Sequence, residues 1–130
     1  MSEHPNTARL RDGFAAFARG DFAALDELFA EDVRWHEPGH HQLSGTHHGR
    51  AEVYGHFQRV FELTDGTFRA EPQVFFADDD HGMVLLRLSG SRGERSFEVL
   101  STQVLRFSGG RATEVWIAHT DPDVMDDAFA

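Results

Sequence analysis

Apolar residues recur at helical spacing near the start of this chain and alternate with polar ones further on. Leu10, Phe14 and Phe17 follow the capping residues Asn6 and Thr7, which predicts an amphipathic first helix stopped by Gly20. Asp21 then caps a predicted second helix, with Phe22, Leu25, Leu28 and Phe29 on one face and Asp26 and Glu27 on the other. Val33 and Trp35 alternate with Arg34 and His36 as a short strand that Pro38 ends, and a Gly- and His-rich loop covers 39–49. Val53, Phe57, Val60 and Phe61 predict a third helix. From Thr67 the period becomes two, and strands are predicted over 68–77, 83–89, 96–107 and 112–120. Turn chemistry separates them at 78–82, 90–93 and 108–110, and links this short imply antiparallel neighbours. Helices first and a meandering sheet afterwards predict an α+β fold with helices covering one sheet face.

The strand over 96–107 is apolar on both faces. Phe97, Val99, Ser101, Gln103, Leu105 and Phe107 share one side, expected to be a pocket wall. Glu98, Leu100, Thr102, Val104 and Arg106 share the other, which suits either a solvated face or the contact of a sheet-to-sheet homodimer. In the last strand Val115, Ile117 and His119 share a side and point into the pocket if Gln103 does.

Composition narrows the function. A length of 130 residues fits one domain spanning 1–130, with a single core. Twelve Phe against one Tyr imply dry cavity walls, which raise carboxyl pKa values. The formal charge of −10, with no Lys in the chain, excludes nucleic acid as an expected partner. Absent Cys excludes disulfide and thiolate chemistry. With no apolar signal core and no window long enough to span a bilayer, the protein is expected to be soluble and cytoplasmic.

Candidate chemistry gathers at two strand ends. Trp35, His36, Glu37, Pro38 and Gly39 set an aromatic ring, an imidazole and a carboxylate at one of them; His119 and Asp121 stand at the other. On a regular strand His36 faces away from Trp35 and Glu37. Structural roles fit the same residues: Glu37 as a turn cap or Arg partner, Gln103 as a satisfied buried amide, His119 as an edge group and Asp121 as a cap for a C-terminal helix over 123–129. His40, His41, His47 and His48, with His36 and His56, are dense enough to raise a metal site. Their spacing lacks the helical i, i+4 pair, so no metal is expected. No nucleophile elbow or phosphate-binding Gly loop is present, and no cofactor is expected.

Gly20-Asp21, Phe29-Ala30-Glu31-Asp32-Val33, Trp35 with Pro38-Gly39, Ser44-Gly45, Gly49-Arg50 with Val53, and Gly110-Arg111 before Glu114-Val115-Trp116 form a familiar series. On these residues the chain resembles the nuclear transport factor 2-like superfamily, in its bacterial SnoaL-like and ketosteroid-isomerase-like branch, along nearly its whole length. The resemblance implies a cone-like fold of three N-terminal helices packed on a curved, mixed, mostly antiparallel sheet enclosing a ligand pocket, and frequent homodimers. Carried over residue by residue, it makes Glu37 before Pro38 the proton-shuttling base. Gln103 falls where the family has a protonated Asp, and Phe14 near its Tyr donor, a departure that argues against steroid isomerisation in particular. Asp121 is the nearest acidic match to the proton-transfer residue of SnoaL-like cyclases.

The expected function is a cofactor-independent proton-transfer enzyme of isomerase or cyclase type acting on a small apolar carbonyl compound. Glu37 is the base and Gln103 and His119 stabilise or relay charge, with Asp121 a further catalytic candidate. Trp35, Phe14, Gln103, Val99, Ser101, Val115 and Ile117 are expected to line the substrate site. A non-catalytic ligand-binding protein, an epoxide-opening hydrolase of the limonene-epoxide type and a dimeric adaptor are the alternatives.

Overall fold

The computed structural model describes residues 3–130. Helix α1 (Pro5–Ala18) begins at a proline, whose missing amide hydrogen leaves no donor unpaired. The cap is His4, whose ring accepts the Asn6 N–H at 3.0 Å, and not Asn6 or Thr7. Asn6 is buried instead and donates its side-chain amide to the Asp78 carbonyl at 2.9 Å.

Asp21 accepts the Ala24 N–H at 3.3 Å as a cap should, yet a single 3₁₀ turn (Ala23–Glu27) follows in place of the expected second helix. Phe29 opens strand β1 (Phe29–Glu37). Tertiary partners take the carbonyls that a longer helix would use internally. The Ala112 N–H bonds the Leu28 carbonyl at 2.7 Å, and Arg50 donates to the carbonyls of Asp26 and Phe29.

The loop expected over 39–49 contains a short strand, β2 (Gly45–His48), which pairs antiparallel with β1 so that Trp35 stands opposite His47. Helix α2 (Gly49–Leu63) is the expected third helix, with Val53, His56, Phe57 and Val60 on its buried face. Four long strands follow as read from the alternation: β3 (Arg69–Ala77), β4 (His81–Arg92), β5 (Arg95–Ser108) and β6 (Arg111–His119). A last helix, α3 (Pro122–Ala128), closes the described chain.

One sheet holds all six strands in the order β2-β1-β6-β5-β4-β3. Among the described residues only β1 and β6 are parallel neighbours. The α+β expectation and the mixed, mostly antiparallel sheet stand; the helices are interspersed along the chain and not gathered at its N-terminus. Alternation along β5 buries Val99, Ser101, Gln103, Leu105 and Phe107 and turns Leu100, Val104 and Arg106 outward. The helices lie over that inner face, and aromatic rings fill much of the space between, with Phe17 packed 5.1 Å from both Phe57 and Phe61. On the uncovered outer face Phe76, Met83, Val104 and Trp116 form one cross-strand row, and Phe76 is 61% exposed. No helix among the described residues is long and apolar enough to cross a membrane.

Candidate functional site

A cavity of about 80 Å³ lies between the helices and the inner sheet face, several times the room a single water needs. Phe14 and Phe17 from α1, Phe57 from α2, Ile117 from β6 and Met125 from α3 make most of it apolar. Its polar groups are few: Glu37, His41, His56, Gln103 and the indole N–H of Trp35.

Glu37 stands at the end of β1 on the same face as Trp35, with a side chain only 10% exposed. Its Oε1 accepts the Trp35 indole N–H at 3.0 Å and the His56 Nε2–H at 2.9 Å. Oε2 has no partner among the described residues. Burial pushes this carboxyl up, as dry walls predict. The hydrogen bond and charge of His56, the Trp35 N–H and the nearby His119 outweigh burial, and the group is held below the usual carboxylate range. The upward drift read from Phe-rich composition is thereby reversed, because a buried carboxylate here has dedicated donors. Glu37 is ionised at neutral pH and competent to accept a proton.

His56 occupies an apolar-stripe position of α2 and spends its Nε2–H on Glu37, leaving a buried Nδ1 with no partner. His47 of β2 stacks on it, with ring centroids 4.3 Å apart and planes 22° from parallel. Burial, followed by the proximity of His56, lowers the pKa of His47. His41 accepts the Leu43 N–H on Nδ1 at 3.1 Å, and its Nε2 is buried without a partner. His119, at the end of β6, has Nδ1 2.6 Å from Ser101 Oγ and an unpartnered, buried Nε2. Burial lowers the pKa of both His41 and His119.

Of the residues expected from the sequence, Glu37, Trp35, Gln103, Phe14 and Ile117 line the cavity. Val99, Ser101 and Val115 are buried but do not reach it, because their side chains are spent in the core and, for Ser101, on His119. His119 is not among the lining residues, although it shares a side of β6 with Ile117, which is. Asp121 is exposed at the N-cap of α3, away from the cavity, which removes it from the acid/base set. His36 points to the outer face as the alternation requires, 2.7 Å from Glu114 and stacked on Trp116. Among the described residues no group of three or more His, Asp or Glu is arranged to hold a metal ion. Nor does any Arg line the cavity, so the carboxylate, Arg and amide set of an epoxide-opening site is incomplete.

The sequence reading named His56 and His41 only in weighing a metal site and did not bring them to Glu37, and it missed the closing role of α3. A signal for His56 was present, since it falls three residues after Val53 and four before Val60 on the apolar stripe of its helix. For α3 there was little local signal. Its Asp126 accepts the His40 N–H at 2.7 Å, and Gln42 donates to the Phe129 carbonyl at 3.2 Å, tying loop and C-terminus together over the pocket. Gly39, at φ +94°, lets the loop pass Asp126, where a Cβ would collide with the carboxylate.

The SnoaL-like domain model matches residues 10–115 of this chain. The uncharacterized protein Rv0034 of Mycobacterium tuberculosis is 29% identical over 131 residues, covering 100% of each chain. Bal32a, from a soil-derived mobile gene cassette, is 31% identical and superposes with a TM-score of 0.93 over 97% of each chain. TerC, in a structure co-crystallised with polyporic acid, shares the fold at 20% identity, with a TM-score of 0.84 over 96% of this chain and 98% of that one.

Proposed function

This chain belongs to the SnoaL-like domain family, and we propose on that premise that it is a cofactor-independent proton-transfer enzyme acting on a small, largely apolar carbonyl compound. One observation carries the proposal. A buried carboxylate faces a largely apolar cavity, with one oxygen held by His56 and Trp35 and the other without a partner among the described residues. A purely structural ion pair has no need of a cavity at its free oxygen. In the proposed step the C–H bond next to the substrate carbonyl breaks, the proton passes to Glu37 Oε2, and the electron pair moves to the carbonyl oxygen as an enolate. Returning the proton to a different carbon isomerises the substrate; attack of the enolate carbon on a second carbonyl forms the C–C bond that closes a ring, and the alkoxide so formed takes the proton back from Glu37. His56 and Trp35 fix the carboxylate in place through both stages. The Gln103 amide, buried in the cavity wall and without a hydrogen-bond partner among the described residues, supplies a polar contact for the substrate. TerC, which shares the fold, was co-crystallised with polyporic acid, and that compound is a ligand to test here.

The proposal includes a homodimer through the outer sheet face, supported by the exposed row of Phe76, Met83 and Val104. The test of the chemistry is exchange of carbon-bound protons in heavy water, followed by NMR on a panel of cyclic ketones and enones. Exchange above the buffer rate that disappears in Glu37→Gln, with ligand affinity retained, is the expected result. Binding without exchange would instead make this a ligand-binding protein.

A further inference from the structure

Four residues that line the cavity, Phe14, Phe17, Phe68 and Ala70, also line a groove of about 390 Å³ between α1 and β3. Their side chains are the partition between the two spaces. β3 is the edge strand of the sheet, and its pairing with β4 slips between Pro72 and Val74, where the extra residue Gln73 makes a bulge that bends the strand. Across from it α1 presents the small, exposed Ala15 and Ala18 to the groove, which leaves the space between helix and strand open.

Each space has what the other lacks. The cavity beside Glu37 holds about 80 Å³, below the roughly 300–1,000 Å³ usual for a ligand pocket, whereas the groove falls within that range. The groove has no buried acid or base. Its charged residues, Arg11, Arg69 and Glu71, are exposed. Arg11 pairs with Glu3 and lies 5.2 Å over the Phe75 ring, and Arg69 donates to the Phe68 carbonyl at 2.9 Å. The lining is otherwise apolar, so the groove suits an uncharged hydrocarbon better than a charged group.

Opening the cavity beneath the loop over 39–44 and α3 breaks hydrogen bonds: the His40 N–H to Asp126, Gln42 to the Phe129 carbonyl, and Arg92 to the Ala130 carbonyl at 3.0 Å. Turning the rings of the partition breaks none. Phe14 meets Phe75 edge to face with centroids 6.1 Å apart, Phe17 meets Phe68 in the same way at 6.2 Å, and no hydrogen bond joins α1 to β3 among the described residues.

We infer that cavity and groove are two halves of one extended site, so the ligand carries an unbranched alkyl tail that passes Phe14, Phe17 and Phe68 from a carbonyl end beside Glu37 and lies between α1 and β3. The inference rests on the proposed proton transfer for the carbonyl end only; the place of the tail does not depend on whether the protein is catalytic.

The test uses the full chain with 2-methyl-, 2-pentyl- and 2-heptylcyclopentanone, enolisable ketones that differ only in the tail. Titration calorimetry should show affinity rising about fourfold for each methylene that is buried, and at least about tenfold from methyl to heptyl. In protein with ¹³C-labelled alanine methyl groups, the Ala15 and Ala18 resonances should move with the heptyl compound and stay in place with the methyl one. Ala15→Phe fills the groove and should collapse the heptyl-to-methyl affinity ratio to near one; Ala18→Phe, on the next turn of α1, should do the same and serves if the first variant does not fold. An affinity that does not rise with the tail, alanine resonances unmoved by a heptyl compound that binds, a ratio that survives in the folded variants, or no binding of any of the three overturns the extended site. Tail-dependent binding at Ala15 and Ala18 without Glu37-dependent exchange on any of the ketones refutes the proposed enzyme and leaves the site standing. Glu37-dependent exchange of the methyl compound with no tail dependence does the reverse.

Discussion

Replacing His56 with Leu isolates what holds the Glu37 carboxylate in its ionised form. His56 is 6% exposed, and its Nε2–H is one of two donors on Glu37 Oε1; the variant leaves Trp35 alone. Removing one partner of a buried pair costs about 3–5 kcal/mol, because the other charge is stranded. Leu buried in the same place returns about 1.5–3 kcal/mol of apolar stabilisation. The net loss expected at pH 7 is roughly 0–3.5 kcal/mol. Its pH dependence is the sharper signature. In the wild type the folded Glu37 pKa lies below the unfolded value of about 4.3, so its contribution is present above that pH and lost as pH falls through the folded value. In His56→Leu burial dominates and the folded pKa rises above about 4.3; the contribution is then present below that pH and lost as pH rises through the folded value. The stability difference between variant and wild type must therefore grow with pH and then level off. Urea unfolding from pH 4.5 to 8 measures it, with Trp35 as a fluorescent reporter beside the carboxylate. Glu37→Gln in the same background should recover about half the loss or more, since it removes the stranded charge. A difference that is flat with pH, or a double variant no more stable than His56→Leu, refutes the reasoning.

Three further outcomes are expected. His41 and His119 both have folded pKa values below the ordinary histidine range, so stability should fall as pH drops below about 6.5. Replacing both with Phe should reduce that slope in urea titrations, leaving the part due to His47, and an unchanged slope would assign it elsewhere. Gly39→Ala places a Cβ against Asp126 at φ +94° and should destabilise by about 1–2 kcal/mol or more; thermal unfolding that matches wild type would show the loop free to shift. Val104→Glu puts a charge in the middle of the outer apolar row, and light scattering should record a dimer in the wild type and a monomer in the variant. A wild-type monomer contradicts the proposed assembly.

Local chemistry determined the elements with strong periodicity. The Leu10, Phe14 and Phe17 stripe, the alternation through β3 to β6 and the inward side of β5 are each set by residues within one element, and they appear where the sequence places them. So does the position of Glu37, because Trp35 and Glu37 must share a strand face and Pro38 must end the pairing. Tertiary structure decided what depended on partners distant in sequence. Phe29 left its helix for β1 when Ala112 and Arg50 claimed the neighbouring carbonyls, and Gly45 to His48 became a strand only because β1 offered an edge. The charge state of Glu37 is of the same kind. Composition predicts a dry wall and a raised pKa, but the donor that reverses it, His56, sits 19 positions away on a helix. Asp121, two residues from His119, faces solvent, since the chain turns into α3 between the end of the sheet and the cap. Periodicity fixes the side of an element on which a residue stands; which charges and donors meet there depends on how the elements pack.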